Sequence, residues 1–208
     1  MKKILVLGII FVGALFSYLQ AFSEEEATKP AYKTGDTWLF TSKAGGTTGS
    51  DPSRMLNGTY ELSIVTGKLK IWTVTGSQKE ELEPRPLVLS CLLGYCASLN
   101  FPLTVGKQWK RNYNATYIGS NQPIPRTATY EVKGIEQIAT PAGTFRAFKL
   151  ESDDRHSGRD FWITNYWYSP ETKSIVKYQF DATAGQGSGL QRDIELIKFT
   201  PAGGAKAE

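Results

Sequence analysis

The stretch that decides the fold is Thr59-Tyr60-Glu61-Leu62-Ser63-Ile64-Val65, then Thr66-Gly67-Lys68, then Leu69-Lys70-Ile71-Trp72-Thr73-Val74. Both long runs alternate with a period of two, and a short turn separates them. Tyr60, Leu62 and Ile64 share one face of the first run, and Leu69, Ile71 and Thr73 share one face of the second. That is the pattern of two antiparallel strands with one buried face, a hairpin.

Working outward, the same grammar recurs. Thr37–Ser42 reads as a strand, and Lys43–Gly58 reads as a long loop of Gly, Ser, Thr and Asp. Gln78–Pro86 is charged, holds two prolines and reads as a connection. Leu87–Leu99 is apolar and either pairs with a strand or forms a short helical turn. Trp109–Ile118 is extended and mostly polar. Ala128–Ile138 reads as a strand with a bulge at Gly134, and Phe145–Ser152 as the next, after the turn Thr140–Thr144. Asp153–Arg159 reads as a charged loop. Phe161–Tyr168, Ile175–Phe180 and Asp193–Phe199 complete the strands, with Ala182–Gly189 as a flexible glycine-rich link. Short strands, turns and no convincing amphipathic helix predict a mainly β fold: a curved antiparallel sheet, half-barrel or barrel-like, with little helix. Aromatic content of 12%, with 20 Gly and 10 Pro as punctuation, points the same way.

The N-terminus has its own reading. Met1-Lys2-Lys3 is basic, Ile4–Leu19 is an uncharged apolar run, and Ala21 and Ser23 are the small residues a signal peptidase needs, ahead of Glu24-Glu25-Glu26. Residues 1–23 are therefore expected to be an export signal cut near Ser23/Glu24; the competing reading is an uncleaved membrane anchor. The organisation expected beyond it is a flexible lead-in over 24–31, one β-rich domain over 32–199 and a disordered tail over 200–208. After cleavage no apolar stretch is long enough for a stable membrane span, and the expected compartment is the periplasm or the medium. The net charge is +4, of which Lys2 and Lys3 belong to the signal, so the mature chain is nearly balanced and no basic cluster suggests nucleic acid.

Cys91 and Cys96 are the cysteines of the chain. An even count in an exported chain favours a disulfide. Two free buried thiols and a redox pair are the competing readings. His156 is the single histidine, so no metal site is expected, nor any cofactor. Asp153, Asp154, His156 and Asp160 lie close in sequence and could form a general base or a weak metal site, but adjacent charges of this kind are usually only solvated. No Gly-x-Ser-x-Gly, His-Glu-x-x-His or phosphate loop is present. Asn57-Gly58-Thr59 and Asn114-Ala115-Thr116 match the glycosylation pattern, by coincidence on a bacterial-type reading.

A short echo links the two halves: Gly35-Asp36-Thr37-Trp38 and Gly106-Lys107-Gln108-Trp109 share Gly-x-x-Trp, and each precedes a Tyr-Glu pair, Tyr60-Glu61 and Tyr130-Glu131. Phe101–Trp109, Val132–Glu136, Thr140-Pro141-Ala142-Gly143-Thr144-Phe145 and Trp167-Tyr168-Ser169-Pro170-Glu171 together resemble the TapB-like family of exported bacterial β proteins, a domain of unknown function. The resemblance implies a curved antiparallel sheet akin to the half-barrels of periplasmic lipoprotein carriers, and supplies no catalytic residues.

The aromatics are the best lead to function. Phe161, Ile163, Asn165 and Trp167 would share one strand face, and Trp162, Thr164, Tyr166 and Tyr168 the other. Trp38, Trp109, Trp162, Tyr166, Trp167 and Tyr178 are the candidate ligand contacts. The expected function is an exported, non-enzymatic protein binding a lipid or another apolar or amphiphilic molecule in the curved sheet. An envelope protein-interaction module with a filled core is the alternative. A hydrolase with an unrecognised site is the third.

Overall fold

The computed structural model describes residues 25–45, 57–83, 87–94, 99–115, 123–156, 160–184 and 191–203. The expected export signal with its cleavage site, Cys96 and the tail beyond 203 fall outside them. The elements are β1 (Thr37–Gly45), β2 (Gly58–Val65), β3 (Lys68–Thr75), β4 (Gln78–Glu81), α1 (Leu87–Cys91), β5 (Gln108–Ala115), β6 (Ile124–Thr140), β7 (Gly143–His156), β8 (Asp160–Ser169), β9 (Ser174–Ala184) and β10 (Gln191–Thr200).

The strands form one antiparallel sheet in the order β4-β3-β2-β1-β10-β9-β8-β7-β6-β5. It is a four-stranded meander and a six-stranded meander joined along β1 and β10. The sheet is curved and open, with β4 and β5 as its edges. The deciding hairpin pairs as its alternation requires: Tyr60 opposite Thr73, Leu62 opposite Ile71, Ile64 opposite Leu69. Tyr60, Leu62, Ile64, Leu69 and Ile71 are all buried.

Three sequence expectations change. Gln78–Glu81 is a strand, where a connection was expected, because its charges lie along an edge and have partners: Lys70 with Glu81 and Lys79 with Glu61. Charged side chains are how an edge stays soluble without losing its ladder. Asp153–His156 continues β7, where a charged loop was expected. Ala182–Ala184 continues β9. The expected bulge at Gly134 is present as a register shift between Val132 and Gly134.

The Gly-x-x-Trp echo is structural. Gly35 and Gly106 both have positive φ, 102° and 83°, a conformation that favours glycine. Gly35 N donates to Ile64 O and Ile64 N to Asp36 O; in the second half Gly106 N donates to Val132 O and Val132 N to Lys107 O. Trp38 then pairs with Leu62, and Trp109 with Tyr130, two residues before Ile64 and Val132 in each case. The same turn thus feeds the same register twice.

Because β4 and β5 are opposite edges, the chain between them must travel from one side of the sheet to the other. That passage carries α1, the short helical turn that was one of the two readings of Leu87–Leu99. It is the source of the buried Leu89, Leu92, Leu93 and Leu103. Ile175 N donates to Leu92 O, Tyr32 donates to Leu93 O, and Phe101 packs edge-on against Tyr168 at 5.2 Å. The passage therefore fills the end of the hollow beside the β8–β9 turn. At the same end Asp36, fully buried, accepts Ala202 N (2.8 Å), Lys33 N (2.9 Å) and Lys173 Nζ (3.0 Å). The long β6–β7 hairpin turns back at Pro141-Ala142, where Ala142 N donates to Leu196 O of β10.

Candidate functional site: the aromatic and cationic mouth

The opposite end of the inner face is built differently. Strand alternation and register place Trp109, Arg111 and Tyr113 of β5, Arg126 and Tyr130 of β6, Asp154 of β7, Trp162 and Tyr166 of β8, Tyr178 and Phe180 of β9 and Arg192 of β10 on one face. Deepest is a chain of rings. Trp109 stacks on Tyr130 at 5.2 Å and 3°, Tyr130 lies 6.4 Å from Tyr166, and Tyr166 meets Tyr178 edge-on at 5.4 Å. Tyr130, Tyr166 and Tyr178 are buried. Burial holds the Tyr166 phenol well above the ordinary value, against the opposing pull of Ser152 and Thr164. Burial also pushes Tyr178 up to about 12, against the opposing pull of Arg192 and Thr164. At neutral pH Tyr166 and Tyr178 are therefore neutral phenols.

Above the floor the rings are half-buried. Trp162 and Phe180 meet edge-on at 5.7 Å. Arg126 is buried, with its guanidinium carbon 3.6 Å from the centre of the Trp162 ring. Its Nε donates to Asp154 Oδ1 at 2.7 Å and its Nη2 to Asp154 O at 3.2 Å. Tyr113 donates its hydroxyl to the same carboxylate, and burial together with Asp154 raises the phenol's pKa. The Asp154 carboxylate and the Trp162 π face thus both hold the cation. Beside it an open pocket of about 550 Å³ is lined by Asn112, Tyr113, Asn114, Pro125, Arg126, Thr127 and Arg155.

The sequence candidates divide. Trp109, Trp162, Tyr166 and Tyr178 come together on this face. Trp38 belongs to the filled end, where its Nε1 donates to Thr172 O at 2.7 Å and its ring stacks on Phe199 at 5.4 Å. Trp167 points to the other side of β8, buried, its Nε1 donating to Glu136 at 2.5 Å. Replacing Trp167 by Ala is expected to cost about 3–4 kcal/mol in denaturant unfolding and to leave the mouth's ring contacts intact. A stable variant with altered ligand uptake would return Trp167 to the site.

The pleat of β7 separates Asp153 from Asp154 within the acidic run Asp153, Asp154, His156, Asp160. Asp153 and Asp154 are strand neighbours and face opposite sides. Asp153 pairs with Arg155 at 2.6 Å, and Asp154 turns inward to Arg126. His156 and Asp160 pair through the backbone, and their side chains lie outside the described residues. Among the described residues no three His, Cys, Asp or Glu side chains converge as a metal site would require, and no helix is long and apolar enough to cross a membrane. Of the acceptor-like asparagines, Asn57 accepts Ala44 N at 2.5 Å. Sequence reading missed Arg126, Tyr130 and Arg192. The signal was there: Arg126-x-Ala128-x-Tyr130-x-Val132 puts an arginine in register with three inward residues.

No family model matches the chain, and no curated protein matches it. Solved structures with a distant likeness exist. An inferred exported protein with a YmcC-like fold from Bacteroides fragilis has a TM-score of 0.39 at 10% identity, covering 84% of this chain and 99% of its own. An inferred lipoprotein from Parabacteroides distasonis has a TM-score of 0.39 at 14% identity, covering 85% and 100%. The hypothetical lipoprotein YmcC from Escherichia coli has a TM-score of 0.40 at 10% identity, covering 80% and 85%. At this level of likeness the functional reading rests on the chain's own residues.

Proposed function

We propose that the chain is an exported, non-enzymatic protein that holds an apolar or amphiphilic molecule at the mouth of its curved sheet. The observation that carries this is the half-buried rim of Trp109, Trp162 and Phe180 over a floor of buried tyrosines. Such rings are large apolar surfaces with fixed faces. Covering a further ~100 Å² of them contributes about 2.5 kcal/mol at the usual area coefficient. The export half of the reading is supported by the basic, apolar and small-residue pattern of residues 1–23 and by the resemblance of the quoted motifs to those of the TapB-like exported proteins. Within the same reading Cys91, at the end of α1, pairs with Cys96.

A second reading, an envelope protein-interaction module, is favoured by β5. Among the described residues it has one strand partner, β6, and offers eight residues of edge to which an extended segment could add.

Native mass spectrometry of the exported protein, with organic extraction of what co-purifies, tests both. The expected result is a stoichiometric apolar adduct on a chain beginning at Glu24 and lighter by two hydrogens than its reduced form. A clean mass with no adduct, together with envelope cross-links through β5, would reject the ligand reading in favour of the second.

A further inference from the structure

The two edges of the open sheet carry opposite charge. β4 reads Gln78-Lys79-Glu80-Glu81, and Leu82 continues its ladder, Leu82 N donating to Ile71 O. β5 reads Gln108-Trp109-Lys110-Arg111-Asn112-Tyr113-Asn114-Ala115, with two cations and no acid. Among the described residues Lys110, Arg111 and Glu80 have no ion-pair partner. Glu81 and Lys79 are paired along their own outer face, with Lys70 and Glu61.

Main-chain bonds fix which residues of each edge turn their N–H and C=O outward. Leu82 bonds Ile71, so by alternation Glu80 faces β3, and Glu81 and Lys79 turn outward. On β5 Val132 N donates to Lys107 O, so Trp109, Arg111 and Tyr113 face β6, and Lys110 and Asn112 turn outward. Side-chain faces are fixed as well. Glu80 lies opposite Thr73, which lies opposite Tyr60, and so shares the inner face with Leu82. Trp109, Arg111 and Tyr113 are on the inner face of β5.

Laid antiparallel on β5, the β4 of a second copy meets both conditions in a register that also matches charge. Leu82 falls opposite Trp109, Glu81 opposite Lys110, Glu80 opposite Arg111, Lys79 opposite Asn112 and Gln78 opposite Tyr113. Outward groups meet outward groups, and inner residues meet inner residues. Leu82 and Trp109 are both half-buried and packed against the core, an apolar pair beside two opposite-charge pairs. Sliding by two residues one way sets Lys79 against Lys110. Sliding the other way sets Leu82 against Arg111 and leaves Glu80 and Glu81 opposite Tyr113 and Asn112. Two β4 edges match poorly, since their fullest overlap sets Glu80 against Glu80.

We propose that β5 takes the β4 edge of a second copy of this chain, head to tail, in that register. This rests on β5 as a docking edge, the second reading above, and names its partner. The contact is heterologous, so copies add in a row or a ring instead of stopping at a two-fold dimer. One short strand buries little area, so the association depends on concentration and weakens in salt.

The test traps the register between differently marked copies of the mature full chain. Lys79→Cys chains are mixed with Asn112→Cys chains under mild oxidation, and separately with Asn114→Cys chains, with the unaltered chain as the blank for its own cysteines. Residues facing each other across such a pair have Cα atoms about 5.5 Å apart, within disulfide reach. The 79–112 mixture is expected to give about fivefold more cross-linked pair than the 79–114 mixture, and sedimentation of the unaltered chain to show a mass that rises with concentration and falls with salt. Adding Arg111→Glu to the Asn112→Cys chain should cut the yield about fivefold. Adding Glu80→Lys to its Lys79→Cys partner should restore it, which no misfolding of the first chain would allow. Equal yields from the two mixtures, or a monomer mass at every concentration, would overturn the self-pairing. Cross-links from β5 to a different envelope protein, with the chain monomeric, would overturn it and leave the interaction-module reading standing. A monomer without cross-links from β5 to any protein would overturn both.

Discussion

Asp36→Asn is expected to destabilise the protein by about 3 kcal/mol, a fall in thermal midpoint of roughly 6–12 °C for a domain of this size. The reason is stereochemical. Both carboxylate oxygens face only donors: Ala202 N on Oδ1, and Lys33 N with Lys173 Nζ on Oδ2. An asparagine side chain has one acceptor oxygen and one NH₂, so either orientation sets N–H against N–H in a site with no solvent access. These contacts tie together the lead-in to β1, the β8–β9 turn and the segment after β10. The residue therefore closes the filled end of the sheet from three directions.

The same site predicts a pH dependence. Burial alone would raise the Asp36 pKa, but the backbone donors Ala202 and Lys33, with Lys173, outweigh it and hold the carboxyl below its ordinary value. A carboxyl depressed in the folded state contributes stability that is present above the unfolded value, near ~3.9, and lost as pH falls through the folded value. The stability gap between the unaltered chain and Asp36→Asn should accordingly be constant near neutrality and narrow in acid. Urea unfolding across that range is the measurement. A gap that widens on acidification would mean that Asp36 is not the ionised anchor described here.

Asp36 also shows what was legible before the structure. The Gly-x-x-Trp echo was visible in the chain, and the structure gives it a physical meaning, one turn used twice to set the same register. The hairpin of β2 and β3 was legible because period-two alternation is a local property. What was not legible is what is non-local. Alternation identifies strands but not their partners, so nothing in β1 or β10 announces that they lie side by side, or that the sheet stays open. β4 was hidden because an edge strand of four residues, Gln78-Lys79-Glu80-Glu81, is written in the residues of a loop. The mouth was half legible. Its rings stood out by composition, but its arginines did not, since a cation at an inward position looks like any surface charge until the strand's phase is fixed. The acidic run was obscured for the converse reason: a string of charges reads as a solvated loop, whereas it continues β7, whose pleat sends Asp153 and Asp154 to opposite faces.

That pleat sets up the second large effect. Asp154→Ala is expected to cost about 3–5 kcal/mol. It removes the carboxylate from a guanidinium whose side chain has no exposure, and a buried cation without its counter-charge is far more expensive than the pair. The Tyr113 hydroxyl loses its acceptor at the same stroke. Removing both charges is a different experiment. Arg126→Met with Asp154→Leu keeps the volume and abolishes the cost of desolvating the two charges, leaves only the half-buried Tyr113 hydroxyl without its acceptor, and is expected to fall within about 1–2 kcal/mol of the unaltered protein. The two results together decide what the pair is for. If the single variant is severe and the double variant mild, the pair adds little net stability and its role lies in placing the Trp162 ring, which Arg126 holds at 3.6 Å. The double variant should then fold normally and carry less of the co-purifying apolar adduct than the unaltered chain, through the loss of ring placement alone. If the single variant is mild, Arg126 reaches water in solution, and the mouth is wetter than the structure implies.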